Sequence, residues 1–241
     1  PSLRIDGDKS VQFFVQTNPS KDLFFGGGGN FTRNDDNITQ SNVYTFYVQW
    51  LIGTRFSLTS RTHYMTGSDK SQYVMQKNID GIQEYIVGTI DRKTISTTLR
   101  AELFLTPELS FQYYGNPYAS VGKYNNFRKV ADSKSDNTDK RYVDLQLITD
   151  ENGDKWIADK MQNPIRNLTE RSPDFNFQEF RSNFVARWEY KTGSTLYLVW
   201  TNTRSRYEST YEPSVFDSFK GISKVKAQNA FMLKASFWFS I

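Results

Sequence analysis

The chain has 241 residues, contains no cysteine and carries one histidine, His63. Without cysteine there are no disulfides and no thiolate metal sites. No run approaches the ~20 consecutive apolar residues of a membrane helix, which excludes helical spanning; a strand crosses a bilayer with only about 9–11 residues. Apolar residues are scarce at 37%, below the roughly 45–50% of soluble globular domains on a count that includes glycine. Neither sign of charge dominates, with 30 basic against 26 acidic side chains. The basic residues are scattered rather than gathered into a stripe, so nucleic acid is not an expected partner. No secretory leader is visible before Pro1, which reads as a processed or truncated N-terminus.

Aromatic residues, in contrast, reach 16%, with 19 Phe, 14 Tyr and 5 Trp. A chain poor in aliphatics and rich in rings can supply one apolar face per strand more readily than a thick two-sided core. The pattern along the chain fits that reading. In 42–51, Tyr44, Phe46, Val48 and Trp50 alternate with Thr45, Tyr47 and Gln49. In 55–66, Phe56, Leu58 and Tyr64 oppose Arg55, Ser57, Thr59, Arg61 and His63. Ile95, Leu99, Ala101, Leu103 and Leu105 oppose Ser96, Thr98, Arg100 and Glu102, and Phe180, Phe184, Ala186, Trp188 and Tyr190 oppose Arg181, Asn183, Arg187 and Glu189. The C-terminal stretch sets Phe231, Leu233, Ala235, Phe237, Phe239 and Ile241 against Lys234, Ser236 and Ser240. Successive strand side chains point to opposite faces, so each segment has one apolar and one wet side.

A soluble sandwich also alternates. Three features favour an all-β, antiparallel transmembrane β-barrel instead. The strands are about 10–13 residues long, against the usual five or six. Rings such as Tyr44, Tyr64, Tyr190 and Trp200 fall at strand ends, where a membrane interface favours them. Connections alternate between short (19–21, 52–54, 106–108, 191–193) and long (34–40, 67–93, 120–178, 207–228), as in bacterial barrels with short periplasmic turns and long extracellular loops. Nine strands are expected near 11–18, 22–33, 42–51, 55–66, 94–105, 109–119, 179–190, 194–206 and 229–241, with 3–6 as the tail of a tenth. Gly26 to Gly29 interrupt the second and suggest a bend, a bulge or a close backbone approach. The whole chain, 1–241, reads as one barrel domain, and its longest loop, 120–178, as holding a hairpin of 143–149 and 155–158 around Asn152-Gly153.

This geometry makes Phe46, Trp50, Leu58, Leu103, Phe184, Trp188, Leu198, Phe237 and Phe239 lipid-facing. It makes Arg55, Arg61, His63, Arg100, Glu102, Arg181, Arg187, Glu189 and Lys234 lumen-facing, either as a pore lining for anions or sugars or as Arg–Glu pairs that fill the interior. His63 and Ser57 share a face but lie roughly 20 Å apart at ~3.3 Å per residue, so they form no dyad, although a serine on a neighbouring strand could. Asp150, Asn152 and Asp154 resemble a calcium loop, but Met161 stands where the twelfth-position Glu belongs, and a hairpin turn is the better reading. No catalytic set, metal site or cofactor site is expected.

Two segments are less generic. One is Leu103-Phe104-Leu105-Thr106-Pro107-Glu108-Leu109-Ser110-Phe111-Gln112-Tyr113-Tyr114-Gly115-Asn116-Pro117-Tyr118, continuing through Gly122-Lys123-Tyr124. The other is Asp174-Phe175-Asn176-Phe177-Gln178-Glu179-Phe180-Arg181-Ser182-Asn183, followed by Arg187-Trp188-Glu189-Tyr190 and Gly193-Ser194-Thr195-Leu196-Tyr197-Leu198-Val199-Trp200. Together they resemble the C-terminal barrel of a DUF5916-like outer-membrane family of Bacteroidota, over about residues 41–241. The resemblance implies a longer protein whose N-terminal part is similar to a family-nine carbohydrate-binding module; no such module is visible here. It implies the bacterial outer membrane, with its lipid as partner and with other envelope proteins and glycan as further candidates. The expected function is non-enzymatic: a component of uptake, secretion or outer-membrane assembly, with a link to glycans. The alternatives are an outer-membrane hydrolase that uses surface-loop residues, and a soluble sandwich that binds glycan through Tyr113, Tyr114 and Tyr118.

Overall fold

The computed structural model describes residues 3–4, 7–79 and 81–239. The expected ends at Ile5, Asp6, Ser240 and Ile241 lie outside them; Leu3 and Arg4 carry no strand. The fold is all-β and antiparallel. Strands β1 (Asp8–Gln16), β2 (Leu23–Asn34), β3 (Thr39–Ile52), β4 (Phe56–Ile79), β5 (Ile82–Phe104) and β6 (Leu109–Val130) follow one another as hairpins. A helical turn α1 (Thr138–Arg141) and the short strands β7 (Tyr142–Asp144), β8 (Gln146–Thr149), β9 (Lys155–Ala158) and β10 (Pro164–Asn167) intervene. The sheet then resumes with β11 (Phe175–Lys191), β12 (Ser194–Glu208) and β13 (Gln228–Ser236). The large sheet runs β1-β2-β3-β4-β5-β6-β11-β12-β13, with β7 added on β6, and its path ends at two edges, β1 and β13. A separate three-stranded sheet has the order β10-β9-β8.

The register sorts the sheet into two faces. One row of directly opposed residues reads Phe13, Gly29, Tyr44, Tyr64, Ile95, Ala119, Gln178 and Arg206. A lower row on the same face reads Leu23, Trp50, Leu58, Ala101, Tyr113, Phe184, Trp200 and Phe231. We call this apolar band the belt. Its rings are not packed away: Phe46 is 52% exposed, Trp50 45% and Trp188 50%. Among the described residues no second sheet stacks on it, as a sandwich core would need; only its upper row is covered, where Val215, Tyr211 and Phe219 pack with Tyr64, Ile95 and Ala119.

The belt is slanted. The row that starts at Phe13, in the middle of the apolar run of β1, ends on β12 at Arg206, eight residues from Leu198, the centre of the apolar run there. At ~3.3 Å per residue and ~4.8 Å between strands, this displacement across seven steps is a slope of about 40° between the belt and the hydrogen-bonded rows. Rings line both borders. Phe31, Tyr44, Tyr64 and Phe216 form a chain of contacts at 5.6–6.3 Å along the upper border, which Phe13 joins from below at 6.1 Å. Trp188, Tyr190 and Phe237 do so at 6.0–6.2 Å along the lower one.

Several expected connections differ. The segment 67–93 is not a loop: β4 and β5 stay paired to a tight turn at Gly81 and project as a hairpin beyond the belt. Bulges between Asp69 and Gln72 and between Tyr73 and Met75 re-aim it. Likewise β6 continues to Val130 rather than ending near 119. The connection at 34–40 is a tight turn, because the Asn34 Oδ1 accepts from the Ile38 and Thr39 amides at 2.6 and 3.1 Å and Asn37 adopts φ 52°. Strict alternation of short and long loops therefore does not hold. What remains is a sidedness: connections at the lower end are all short, and everything that projects lies at the upper end. We call this upper part the crown. The last strand stops at Ser236, although Phe237 still meets Tyr190 edge-on.

The four glycines of β2 cause no bulge, since residues 26–34 pair one-to-one with 8–16. They make room instead. A Cβ on Gly28 would collide with the Phe13 carbonyl oxygen, and one on Gly29 would meet the Phe31 ring at 2.8 Å.

Candidate functional site: the polar face

On the opposite face the register gathers Arg61, His63, Arg100, Glu102, Arg181, Arg187, Glu189 and Lys234. Arg55 precedes β4 with the same parity, its carbonyl accepting from the Phe104 amide at 2.8 Å. Phe46, Trp50, Leu58, Leu103, Phe184, Trp188 and Leu198 occupy the belt, while Phe237 and Phe239 follow β13 and are 67% and 79% exposed.

Only part of the charge on the polar face is paired. Arg187 Nη2 donates to Glu189 at 2.9 Å, and Arg181 Nη2 to Glu179 at 2.9 Å. Arg187 Nε also donates to the Tyr197 hydroxyl at 3.3 Å. Three further cations use tyrosines. Arg61 lies 5.1 Å from the Tyr47 ring centre, Arg100 5.8 Å from Tyr114 and Lys234 5.9 Å from Tyr197. In each case the two residues stand directly opposite on neighbouring strands. A cation over an aromatic face is stabilised by the ring quadrupole and keeps its charge.

The slant places these pairs at one level. Tyr47 lies between Phe46 and Val48, Tyr114 beside Tyr113, and Tyr197 between Leu196 and Leu198, each near the middle of the belt on its own strand. Tyr47 and Tyr197 are functional candidates that sequence reasoning missed, and Tyr114 was expected only as a glycan contact, because period two gives a residue's face but not its cross-strand neighbour. The face is also uneven. On β1 and β2 it offers Gln12, Phe14, Phe24, Gly26, Gly28 and Asn30, with no cation, whereas the strands from β4 onward carry the cations.

The chemical candidates resolve into structural roles. The ring of His63 shares a hydrogen bond with Thr45 Oγ1 at 3.0 Å; Ser96 stands opposite in register. The Asp150 carboxylate is used up by its own hairpin, accepting from the Asn152 and Asp154 amides and from Trp156 Nε1, all at 2.9 Å. The Trp156 bond first, then the backbone amides, hold this carboxyl below the ordinary Asp range. Among the described residues no cluster of three or more His, Cys, Asp or Glu could hold a metal ion.

Fold and site together define a class: an all-β protein whose long antiparallel sheet has one exposed apolar face and one polar face rich in tyrosine and cations. The chain belongs to the family described as Domain of unknown function (DUF5916), which matches residues 2–240. No curated protein and no solved structure matches it.

Proposed function

We propose that the chain forms the C-terminal wall of a β-barrel in the outer membrane of a Bacteroidota-type envelope, with the belt in lipid and the polar face toward an aqueous interior. The observation that carries this reading is the slope of about 40° of the belt, which matches the 35–45° strand tilt that closing a membrane barrel imposes. A belt perpendicular to the barrel axis has to cross the hydrogen-bonded rows at that angle. The ring-lined borders correspond to the two interfacial girdles, and exposed rings that would be a liability in water become an asset in hydrocarbon. The crown then faces outward and the short turns face the periplasm.

The interior is net cationic at mid-height, through Arg61, Arg100 and Lys234 over their tyrosines. The role that suits it is non-enzymatic: passage or holding of polar, preferentially anionic, solutes, including acidic glycans, within uptake, secretion or assembly machinery. The intact gene product should resist carbonate extraction and migrate differently on a denaturing gel when unheated. Release by carbonate without detergent, with no heat-dependent shift, would return the chain to the soluble proteins.

A further inference from the structure

The belt loses its apolar character early on β11 and β12. Above Phe184 and Trp200, the same face carries Ser182, Asn202 and Arg204. Over this region folds the 209–227 connection, whose turn at Ile222–Lys224 is tied down by Arg204 donating to the Ser223 carbonyl. Between turn and sheet is a cleft of about 450 Å³, lined by Tyr113, Phe180, Trp200, Arg204, Ile222 and Ser223. That volume lies within the range of small-molecule sites, roughly 300–1,000 Å³.

The cleft has two chemical ends. Its lower part is aromatic: Trp200 stacks on Phe231 at 6.2 Å, and its indole nitrogen donates outward to Asn229 at 3.0 Å, leaving the ring as an apolar wall. Its upper rim carries Arg204, and Lys224 and Lys226 belong to the chain segment that forms the covering turn and follows it. Among the described residues Arg204, Lys224 and Lys226 enter no ion pair, whereas Asp217 is paired with Lys220 at 2.5 Å and Glu208 with Arg206, and Glu212 accepts from the Ser214 amide at 3.3 Å. Both lysines are exposed. An inorganic anion leaves the rings unused, and a neutral hydrocarbon leaves the rim unused.

We propose that this cleft holds one anionic membrane lipid, its phosphate at Arg204 with Lys224 and Lys226, and an acyl chain against Phe180, Tyr113 and Trp200. The inference rests on the membrane reading above, because the lower part of the cleft opens into the belt. It makes the 209–227 connection a clasp at the interface rather than a solvent loop.

The test is tryptophan quenching by brominated acyl chains in nanodiscs of the intact protein, with brominated phosphatidylglycerol compared against brominated phosphatidylcholine at equal mole fraction. The Trp200 signal is the difference between the parent and Trp200→Phe. It should favour phosphatidylglycerol by about fivefold for one phosphate–cation contact at the membrane surface. Arg204→Gln should bring the two lipids to parity. Because that change could release the turn, the double variant Lys224→Gln/Lys226→Gln serves as a second arm and should also shrink the preference. Equal quenching of Trp200 by both lipids overturns the site, provided that Trp50 and Trp188 are quenched. No quenching of Trp50 and Trp188 by either lipid overturns the membrane reading instead. Loss of the preference on adding inorganic phosphate assigns the rim to a free anion and overturns the lipid.

Discussion

The belt and the crown are built from the same strands yet solve opposite problems. In the crown, β4, β5 and β6 continue past the belt and are covered by β7 to β10 and the connections, and among the described residues the fully enclosed apolar side chains gather at this end and at its border with the belt, where Ala119 lies. Ile86 and Ile157 are 0% exposed, and Val121 and Val215 reach 0% and 1%. Polar contacts tie the layers together there: Ser71 Oγ to the Tyr142 hydroxyl at 2.7 Å, Lys77 to the Ile165 carbonyl at 2.9 Å, and Lys129 to Glu84 at 2.6 Å. In the belt the large side chains stay exposed and touch mainly each other across strands. The crown encloses its apolar side chains and the belt leaves them exposed, so on the proposed reading the two ends meet different solvents, water and hydrocarbon.

The largest expected effect separates the two solvents. Leu99→Arg, at the middle of the belt, should cost about 2–4 kcal/mol of folded-state stability in lipid, as a midplane Arg does on a barrel exterior. Leu147→Arg, on a crown side chain that is 59% exposed, should stay within about 0.5 kcal/mol. Denaturant titration in the same vesicles reads both, and equal tolerance would erase the distinction between belt and crown. A smaller effect is expected at the flank. Gly28→Ala pushes a methyl onto the Phe13 carbonyl and should cost about 1–3 kcal/mol through overpacking. Hydrogen exchange should rise on β1 and β2 while β8 to β10 stay protected; uniform protection throughout would mean that the close approach is unimportant.

The smallest effect belongs to the crown alone. The folded-state pKa of Asp150 is depressed, so its contribution is present above the unfolded value of about 3.9 and fades as pH falls through the lower folded value. The indole N–H resonance of Trp156 should lose its hydrogen-bonded shift only in that acid window, with no change in the belt. A shift already complete at pH 5 would contradict the assignment.

The sequence carries the belt more openly than the crown. Period-two alternation in 42–51 or 95–105 survives because one face of each strand is uniformly apolar, which also pins the register. Beyond Gly67 and Lys93 the ladder persists but the pattern does not. Bulges reset the phase, and Ile86, Val87 and Ile90 are buried by covering segments rather than by a single face. The 34–40 turn was hidden for a related reason: a single Asn34 side chain replaces what looked like a loop. The tyrosine–cation pairs depend on which strand lies next and at what offset, and the lipid cleft depends on a connection folding back over β11 and β12. Neither is a property of any one segment.

The two edges, β1 and β13, carry one more consequence. In a purely antiparallel path of nine strands, the first and last point the same way. Joined directly, they would make a parallel seam, and a second copy placed in the same orientation would meet the first with the same mismatch. Hydrocarbon tolerates no open ladder, so a continuous antiparallel ring demands an odd count of additional strands between them. Direction alone thus separates two ways of closing such a sheet: directly, through one parallel seam, or through an odd-numbered set of further strands with every pair antiparallel.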